Sequence, residues 1–370
     1  MSVASADPRA VQPRAAASGK RAGTPRRPLL WEALVVGLFA IVVLTMPLWI
    51  VWINGYQVLA NHIVIWALFA LGFDILLGLT GYLSFGHAAF FGVAAYVAGL
   101  SFKLVSSDII PAMIITGLTL MVVALLIGYL TLKRSGIYFS ILTLAFGEMI
   151  HALVKSSALQ RWTGGDNGLT DIPNRTLFGV RLEEDLVFLL SATILIVGFA
   201  AARQIKRSPF GLMLRAIKEN PMRLEYTGVN VWRYKMAAYL ISAMYAGMAG
   251  FLIVVLEGYV ASEYLYWTTS GEVVIMSVIG GVGTLIGPIM GAFFLQYFEN
   301  VVQAEIGEQW LLVLGLVFMF MVIFVPGGFA DLIRRTWRGL GKRVRPRRHN
   351  VPDMKPDADR LAGEQRTDSV

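Results

Sequence analysis

The chain contains no cysteine, which excludes a disulfide framework, thiolate metal ligands and a cysteine nucleophile. Its four histidines, His62, His87, His151 and His349, are scattered along the sequence. They form neither a His-x3-His pair nor the HExxH pattern of zinc hydrolases. We therefore expect no metal site.

Motifs for nucleotide binding and hydrolysis are also missing. Gly19-Lys20 and Gly341-Lys342 lack both the upstream glycine and the following Ser or Thr of a phosphate-binding P-loop. There is no nucleophile elbow and no pair of catalytic carboxylates. We therefore expect a chain that is not an enzyme, binds no cofactor of its own and has no nucleic-acid partner.

Charge is scarce as well: only 15% of the residues are charged and 56% are hydrophobic, whereas soluble domains carry roughly 25% charged residues. A helix of about 20 apolar residues spans the hydrocarbon core of a bilayer. The apolar segments cover residues 31–53, 57–79, 83–102, 109–132, 137–157, 186–202, 236–256, 273–302 and 309–326. They are continuous rather than alternating, which favours helices over strands. The sequence thus predicts an all-α integral membrane protein, a polytopic helical bundle.

The distribution of charge predicts the topology, because cytoplasmic segments carry an excess of Lys and Arg. Basic residues concentrate in residues 1–30, at Lys133–Arg134, in 203–235 and after Asp331. Acids collect in loop 158–185 and around the later apolar segments. Both termini are therefore predicted to be cytoplasmic in a multi-pass protein of the plasma (inner) membrane.

The two ends of the chain differ from its middle in composition. Residues 1–28 and 333–370 are polar and basic, which predicts disordered cytoplasmic tails on either side of a transmembrane domain at 29–332. The Arg- and Ala-rich beginning is also similar to an organelle transit peptide. We favour the cytoplasmic tail.

Counting crossings shows that one apolar segment must be broken. Seven crossings from an inside N-terminus leave residue 257 outside, so 273–302 must enter and return if the basic tail is to lie inside. The glycines and proline of 280–288 supply the break, because irregular backbone at membrane depth is tolerated where protein buries it. The segment is either a re-entrant hairpin or two short crossings, and the latter gives about ten crossings.

The basic segment 203–235 contains signals for two short surface helices. Ser208, followed by proline, is a typical N-cap for a helix that runs to about Glu219. Asn220, again followed by proline, caps a second helix, and Gly228 ends it in a left-handed conformation. Such helices are explained either by binding to anionic lipid or by docking to a partner.

Three further segments are rich in small residues. Residues 81–96 read GYLSFGHAAFFGVAAY and predict a helix that packs closely on its neighbours. Residues 163–173 read TGGDNGLTDIP, and residues 280–288 read GGVGTLIGP. Together with 208–231, they resemble the branched-chain amino-acid permease family of ABC importers (the LivM-type subunit). The resemblance covers about residues 57–332.

The resemblance implies a membrane-spanning subunit that moves branched-chain or other hydrophobic amino acids by alternating access. The implied partners are two ATPase subunits that use the ATP, a second related permease, a soluble substrate-binding protein and the lipid bilayer. Relatives with the same motifs carry urea, short amides or aromatic acids. A secondary transporter independent of ATP is the alternative from another class. A proton-pumping or redox subunit is disfavoured because intramembrane acids, Asp74 and Glu148, are sparse.

The resemblance also assigns roles to residues. The loop that couples to the ATPase would comprise Phe210, Arg215, Ala216, Asn220, Glu225 and Gly228. The family signature there is Glu-Ala-Ala followed by Gly, and Tyr226 and Thr227 replace the two alanines. The substrate pathway would comprise Ser84, His87, Glu148, Gly280, Gly281, Gly283 and Gly287. The outer-loop residues that contact the binding protein or frame a gate would be Gly164, Gly165, Asp166 and Asn167.

Each of these roles has a structural alternative. His87 is also explained by a hydrogen bond at a helix contact, which we favour, the glycine break by a tight turn, and the outer loop by turns folded over helix ends. Glu148, His151 and Lys155 share one helix face. They and Asp74 are either functional intramembrane groups or structural polar contacts.

Overall fold

The described part of the chain is mostly helical. The computed structural model describes residues 29–173, 175–325 and 327–332, and both predicted tails lie outside the described residues. The α-helices are α1 (Leu29–Leu44), α2 (Met46–Ile50), α3 (Gln57–Thr80), α4 (His87–Leu104), α5 (Ile109–Thr131), α6 (Ile137–Lys155), α7 (Gln160–Thr163), α8 (Glu184–Arg207), α9 (Pro209–Glu219), α10 (Pro221–Glu225), α11 (Val231–Glu257), α12 (Trp267–Gly280), α13 (Ile286–Ile306) and α14 (Trp310–Phe324). Two short antiparallel strands, β1 (Thr176–Leu177) and β2 (Val180–Arg181), lie in the loop before α8.

The all-α membrane fold predicted from the sequence is confirmed. Within the described residues, the helices α3, α4, α5, α6, α8 and α11 are each long and apolar enough to cross a membrane. A seventh span results if α1 and its continuation through residue 53, bent by 49° at Thr45, are taken as one. Pro47 lies in the first turn of α2, and its missing N–H accounts for the bend. The count of ten crossings stays a prediction.

Helix α3 is the centre of the bundle. Nearly every residue from Leu59 to Thr80 is buried, and α3 packs against α11, α13 and α8. Small residues allow these close approaches: a β-carbon at Gly72 would overlap the side chain of Tyr245 in α11. In contrast, α5, α6 and α14 each have an exposed face, as expected of helices that face lipid or another subunit.

The two ends of the bundle differ in charge and serve as references. We call the end that carries segment 203–235 the basic side and the end that carries loop 158–185 the acidic side. Helix α3 runs between them. Gln57, at its start, donates a hydrogen bond to Asp185 of the acidic-side loop. Near its other end, the Gly78 carbonyl accepts a hydrogen bond from Lys218 of α9, at 3.0 Å.

The predicted break in segment 273–302 is present. Helix α12 ends at Gly280 and α13 begins at Ile286, and the two pack as a hairpin. The tip of this hairpin, residues 281–285, lies on the basic side, where Lys206 donates a hydrogen bond to the Gly283 carbonyl. Its far end returns to the start of α3, where Asn300 donates to the Tyr56 hydroxyl at 2.7 Å. The segment therefore runs from the acidic side to the basic side and back.

The surface helices also match their sequence signals. The Ser208 hydroxyl accepts a hydrogen bond from the Gly211 N–H at 3.2 Å and caps α9, which ends at Glu219 as predicted. The Asn220 side chain accepts from the Arg223 N–H at 3.0 Å and caps α10. Gly228 then takes a φ of 82°. Local capping chemistry was enough to define these helices.

One helix begins later than the sequence predicted. Residues 81–86 are not helical, and α4 starts only at His87. Gly81 ends α3 with a φ of 77°, and the Ser140 hydroxyl of α6 then holds the extended backbone by donating to the Leu83 carbonyl at 2.6 Å. The close approach predicted for Gly86 is present, because a β-carbon there would overlap the Thr143 carbonyl. The small residues of 81–86 therefore allow close contacts between an extended segment and α6, rather than contacts between two helices.

The hairpin predicts the accessibility of its far end. Because the chain has no natural cysteine, single cysteine variants can be labelled without background. We expect Gln303→Cys to react with a membrane-impermeant maleimide from the same side as Phe178→Cys, which is 81% exposed on the acidic side. Tyr226→Cys, 84% exposed on the basic side, should react only from the opposite side. Labelling of Gln303→Cys together with Tyr226→Cys would refute the hairpin.

Candidate functional site

A polar cavity of about 850 Å³ opens on the acidic side of the bundle. Its size is within the range of small-molecule sites. Four helices form its walls, and the 3₁₀ segment Ser262–Leu265 and the 158–185 loop border it. The wall residues are Leu59, His62 and Trp66 of α3, His151 and Lys155 of α6, Thr268, Thr269 and Glu272 of α12, and Gln296, Glu299, Asn300 and Gln303 of α13.

Some of the charges around this cavity are paired. Lys155 forms an ion pair with Asp166 of the outer loop, with Nζ and Oδ1 2.5 Å apart. His62 lies 3.7 Å from the carboxylate of Glu257, which also accepts a 2.5 Å hydrogen bond from the Tyr264 hydroxyl. The first contact holds the outer loop to α6 at the rim of the cavity. The last one holds the 3₁₀ segment Ser262–Leu265 to the end of α11.

Glu148 lies next to the cavity and holds the start of α12. Its carboxylate accepts a hydrogen bond from the Trp267 N–H at 3.2 Å, and its other oxygen is 3.6 Å from His151 Nδ1. A carboxylate at a helix N-terminus is favoured by the helix dipole. The structure therefore gives Glu148 and His151 a structural contact, and the assignment of Glu148 to the substrate pathway stays a prediction.

The outer-loop glycines form a compact cover over helix ends. Gly164, Gly165 and Gly168 all have positive φ, which glycine adopts without steric cost. Beyond them, the Leu169 backbone exchanges two hydrogen bonds with Val260, of 3.0 and 2.9 Å. Asp166 lines the cavity and Asn167 is exposed beside it. The loop thus both covers helix ends and frames the mouth of the cavity.

His87 and Ser84 lie inside the bundle, away from the cavity, and both are fully buried. The Ser242 hydroxyl donates to the Gly72 carbonyl at 2.6 Å. It must therefore accept its 2.8 Å hydrogen bond from His87 Nε2, because a hydroxyl has only one proton. His87 thus joins α4 to α11 and α3, and a pathway role for it and for Ser84 stays a prediction.

The tip of the hairpin is held by the buried carboxylate of Asp74. One carboxylate oxygen accepts from the Gly283 N–H at 2.6 Å, and the other accepts from the Leu285 N–H at 3.2 Å. Leu285 has a φ of 68°, which is costly for a branched residue, so these bonds offset local strain. We call this arrangement the tip clamp.

The tip clamp is connected to the surface helices by lysines. Lys206, in the last turn of α8, bonds the Gly283 carbonyl, and Lys218 of α9 bonds the Gly78 carbonyl, one turn after Asp74 in α3. A β-carbon at Gly78 would lie 2.7 Å from both Asp74 Oδ1 and Gly283 Cα, so glycine is needed here. Displacement of α9 would therefore be transmitted to the tip.

Gly280, Gly281 and Gly287 pack at the same tip, where a β-carbon on any of them would crowd neighbouring backbone.

The predicted coupling residues divide into two groups. Arg215, Asn220, Glu225 and Gly228 are exposed on the basic side. Phe210 instead stacks on Tyr234, with ring centroids 5.7 Å apart.

Ala216, the remaining member, is partly buried. Three large apolar side chains are exposed on the same surface: Leu212, Met222 and Tyr226. They are typical of a protein contact. Tyr226 was noted from the sequence as a departure from the family signature, whereas Leu212 and Met222 were given no role.

The sequence reasoning also missed the residues of the cavity. Glu272 and Glu299 were counted only among the acids around the later apolar segments, and neither Gln296 nor Gln303 was assigned to a site. A signal was present, because Gln296, Glu299 and Gln303 are spaced i, i+3 and i+7 within an apolar helix and therefore share one face.

A bundle of membrane-length helices around a polar cavity, with a broken hairpin and amphipathic helices at one surface, is the architecture of a polytopic transport subunit. Residues 56–324 match the family described as the permease component of branched-chain amino acid transport systems. The match covers most of the chain, so the chain belongs to this family of permeases.

Several characterised permeases are similar to this chain. LivM, the high-affinity branched-chain amino acid permease protein of Escherichia coli K12, is 26% identical over 305 residues, covering 76% of this chain and 71% of LivM. LivH of Salmonella typhimurium is 25% identical over 70% of this chain and 89% of its own length. The autoinducer 2 permease LsrC of Klebsiella pneumoniae is 29% identical over 48% of this chain and 54% of its own.

Proposed function

We propose that the chain is the membrane-spanning permease subunit of an ATP-driven importer for branched-chain or other hydrophobic amino acids. The observation that carries this proposal is the continuous set of contacts from α9 through Lys218, Gly78 and Asp74 to the hairpin tip. It gives a surface helix a mechanical connection to a hairpin that also forms a wall of the polar cavity. The excess of basic residues supports a cytoplasmic position for α9, where ATPase subunits would bind.

The proposed mechanism is alternating access, with the hairpin as the moving element. Closure of two ATPase subunits around ATP would shift α9 and α10. The tip clamp would pass that shift to α12 and α13, and the cavity would close towards the acidic side. Discontinuous helices are a common device for such gating in transporters. Substrate would arrive from a soluble binding protein docked near the 158–185 loop, and a second related permease would complete the pathway.

The names of the similar proteins support a small polar or amphipathic substrate without selecting one. LivM and LivH are named for branched-chain amino acids, LsrC for autoinducer 2 and a Bacillus subtilis relative, NupQ, for guanosine. Urea, short amides and aromatic acids are the alternatives within the class. The alternative from another class is a secondary transporter, which would work without ATPase subunits.

Affinity purification of the tagged chain from mild detergent, followed by mass spectrometry, tests the class directly. Recovery of a P-loop ATPase and a second permease is expected. Recovery of the chain alone, able to transport in vesicles with an ion gradient and no ATP, would replace the importer with a secondary transporter. In that case α9 and α10 would be lipid-surface helices.

The docking surface gives a second prediction. Gly228 is exposed and has a φ of 82°, and the described residues place no atom within 4 Å of the position that a β-carbon would take there. A substitution at Gly228 therefore creates no clash with the described part of the chain. We expect Gly228→Arg to lower ATP-dependent import at least about tenfold, because the long charged side chain would block the ATPase surface. The amount of protein in the membrane should not change.

Gly228→Asn is the matched control, since asparagine tolerates positive φ better than other residues and is much smaller than arginine. It should retain most of the import activity. Equal loss in both variants would point to backbone strain, and full activity of Gly228→Arg would remove this turn from the docking surface.

A further inference from the structure

Helix α13 presents a polar stripe to the acidic-side cavity. Gln296, Glu299, Asn300 and Gln303 all line it, and their spacing places them on one face of the helix. Glu272 of α12 lines the same space. A helix that borders lipid or a dry core has no need of such a stripe, and intramembrane polar residues are retained where they serve a function.

Two carboxyl groups of this cavity, those of Glu272 and Glu299, have no cationic partner within the described residues. Glu272 and Glu299 interact with each other as like charges, which is unfavourable. The neighbouring Lys155 is engaged with Asp166, and His62 is engaged with Glu257. The cavity therefore contains two carboxyl groups for which the described part of the chain supplies no cation.

A second observation points to a bound ligand. Gln296 lines the cavity with only 8% of its surface exposed, and the described residues give its amide no hydrogen-bond partner. Its amide atoms face the cavity, so water or a ligand in the cavity must supply the hydrogen bonds that a largely buried amide needs. An amide oxygen and two carboxylates together form a set of acceptors for a group with several N–H donors.

We propose that this set of acceptors binds the primary ammonium group of the transported substrate. An ammonium has three donors and a positive charge, so Glu272 and Glu299 would supply its counter-charge and Gln296 a neutral acceptor. The proposal rests on the proposed import function and narrows its substrate. It favours amino acids over urea and amides, which carry no charge, and over carboxylic acids without an amino group, which the two glutamates would repel.

The test uses the complete importer complex in vesicles, with leucine as the probe, supplied on its binding protein at saturating concentration. The initial rate of leucine import is measured for Glu272→Gln, Glu299→Gln and the double variant. We expect each single change to lower the rate several-fold and the double change to lower it at least about tenfold, because charge-assisted hydrogen bonds are the strong ones. Glu272→Asp keeps the charge and should recover part of the rate.

Two controls separate this role from a structural one. Glu305→Gln removes an exposed acid from the end of the same helix and should leave the rate unchanged. ATP hydrolysis stimulated by the binding protein, and its affinity for the complex, should stay normal in the glutamine variants, because neither requires an ammonium in the cavity.

The outcomes distinguish this inference from the proposed function. If the wild-type complex imports no amino acid, the proposed function itself fails. If it imports leucine and the double variant keeps the wild-type rate, only the ammonium site is refuted. If the rate falls in proportion to a weakened affinity for the binding protein, the glutamates belong to a docking contact, and the substrate assignment is again wrong.

Discussion

Asp74→Asn is expected to abolish import and to lower the thermal stability of the complex. The variant keeps one oxygen for the tip of the hairpin but points an amide N–H₂ at the other backbone N–H. That buried donor loses its acceptor, at a cost of about 1–3 kcal/mol. Leu285 has a φ of 68°, and it would lose the hydrogen bond to Asp74 that offsets the strain of this conformation. The hairpin tip would then no longer follow the movement of α3 and α9.

The measurement is import into vesicles together with the unfolding temperature of the detergent-purified complex. Glu305→Gln is the control, since it also removes one carboxylate charge but at an exposed position. A simple loss of charge would affect both variants equally, whereas loss of the tip clamp affects only Asp74→Asn. Wild-type import by Asp74→Asn would show that the tip does not depend on its carboxylate.

Gly291→Ala is expected to prevent α12 from packing closely on α13. Its expected effect, on the yield of folded protein, is the second largest. A β-carbon at Gly291 would overlap the Met276 carbonyl oxygen, so α12 and α13 would have to separate. Overpacking of this kind costs typically about 1–3 kcal/mol, and more where backbone rather than side chain must move. We expect most of the protein to be lost from the monodisperse fraction in size-exclusion chromatography.

Gly315→Ala in α14 is the matched control. A β-carbon at Gly315 would have no described atom within 4 Å, and alanine favours a helix over glycine by about 1 kcal/mol. This variant should be recovered at wild-type yield or better. If both variants were recovered alike, the close packing of α12 on α13 would not be required for folding.

Local sequence signals predicted the parts of the fold that depend on local chemistry. Ser208 and Asn220 define the starts of α9 and α10 because a capping side chain bonds to a backbone N–H three residues away. The run of glycines before Pro288 indicated the break between α12 and α13, because glycine and proline disfavour a continuous helix. Neither prediction required knowledge of the rest of the chain.

The contacts between distant parts of the sequence were not predicted. Asp74 was recognised as an intramembrane acid, and the glycine break as a region of irregular backbone, yet nothing in the sequence indicates that one holds the other. They are more than 200 residues apart, and only the packing of α13 on α3 brings them together. The late start of α4 has the same origin, since Ser140 of α6 holds the residues that precede it.

The cavity was missed because its polar residues were assigned to loops. Charge counting placed Glu272 and Glu299 with the acids of the outer side, and this assignment hid their place on helix faces. A search for polar residues at i, i+3 and i+7 within apolar segments would have found Gln296, Glu299 and Gln303. It would still not have shown that Glu272 of another helix faces the same space.

The burial of α3 on all sides has a consequence for how the protein responds to its membrane. A helix in contact with lipid adjusts to bilayer thickness by tilting, but α3 has almost no surface on which lipid could act. Changes in thickness would be taken up by the exposed helices α5, α6 and α14. The geometry around Asp74 and the cavity would then change little with lipid composition. The apolar side chains of α3 contact protein rather than lipid, so its hydrophobicity serves packing within the bundle.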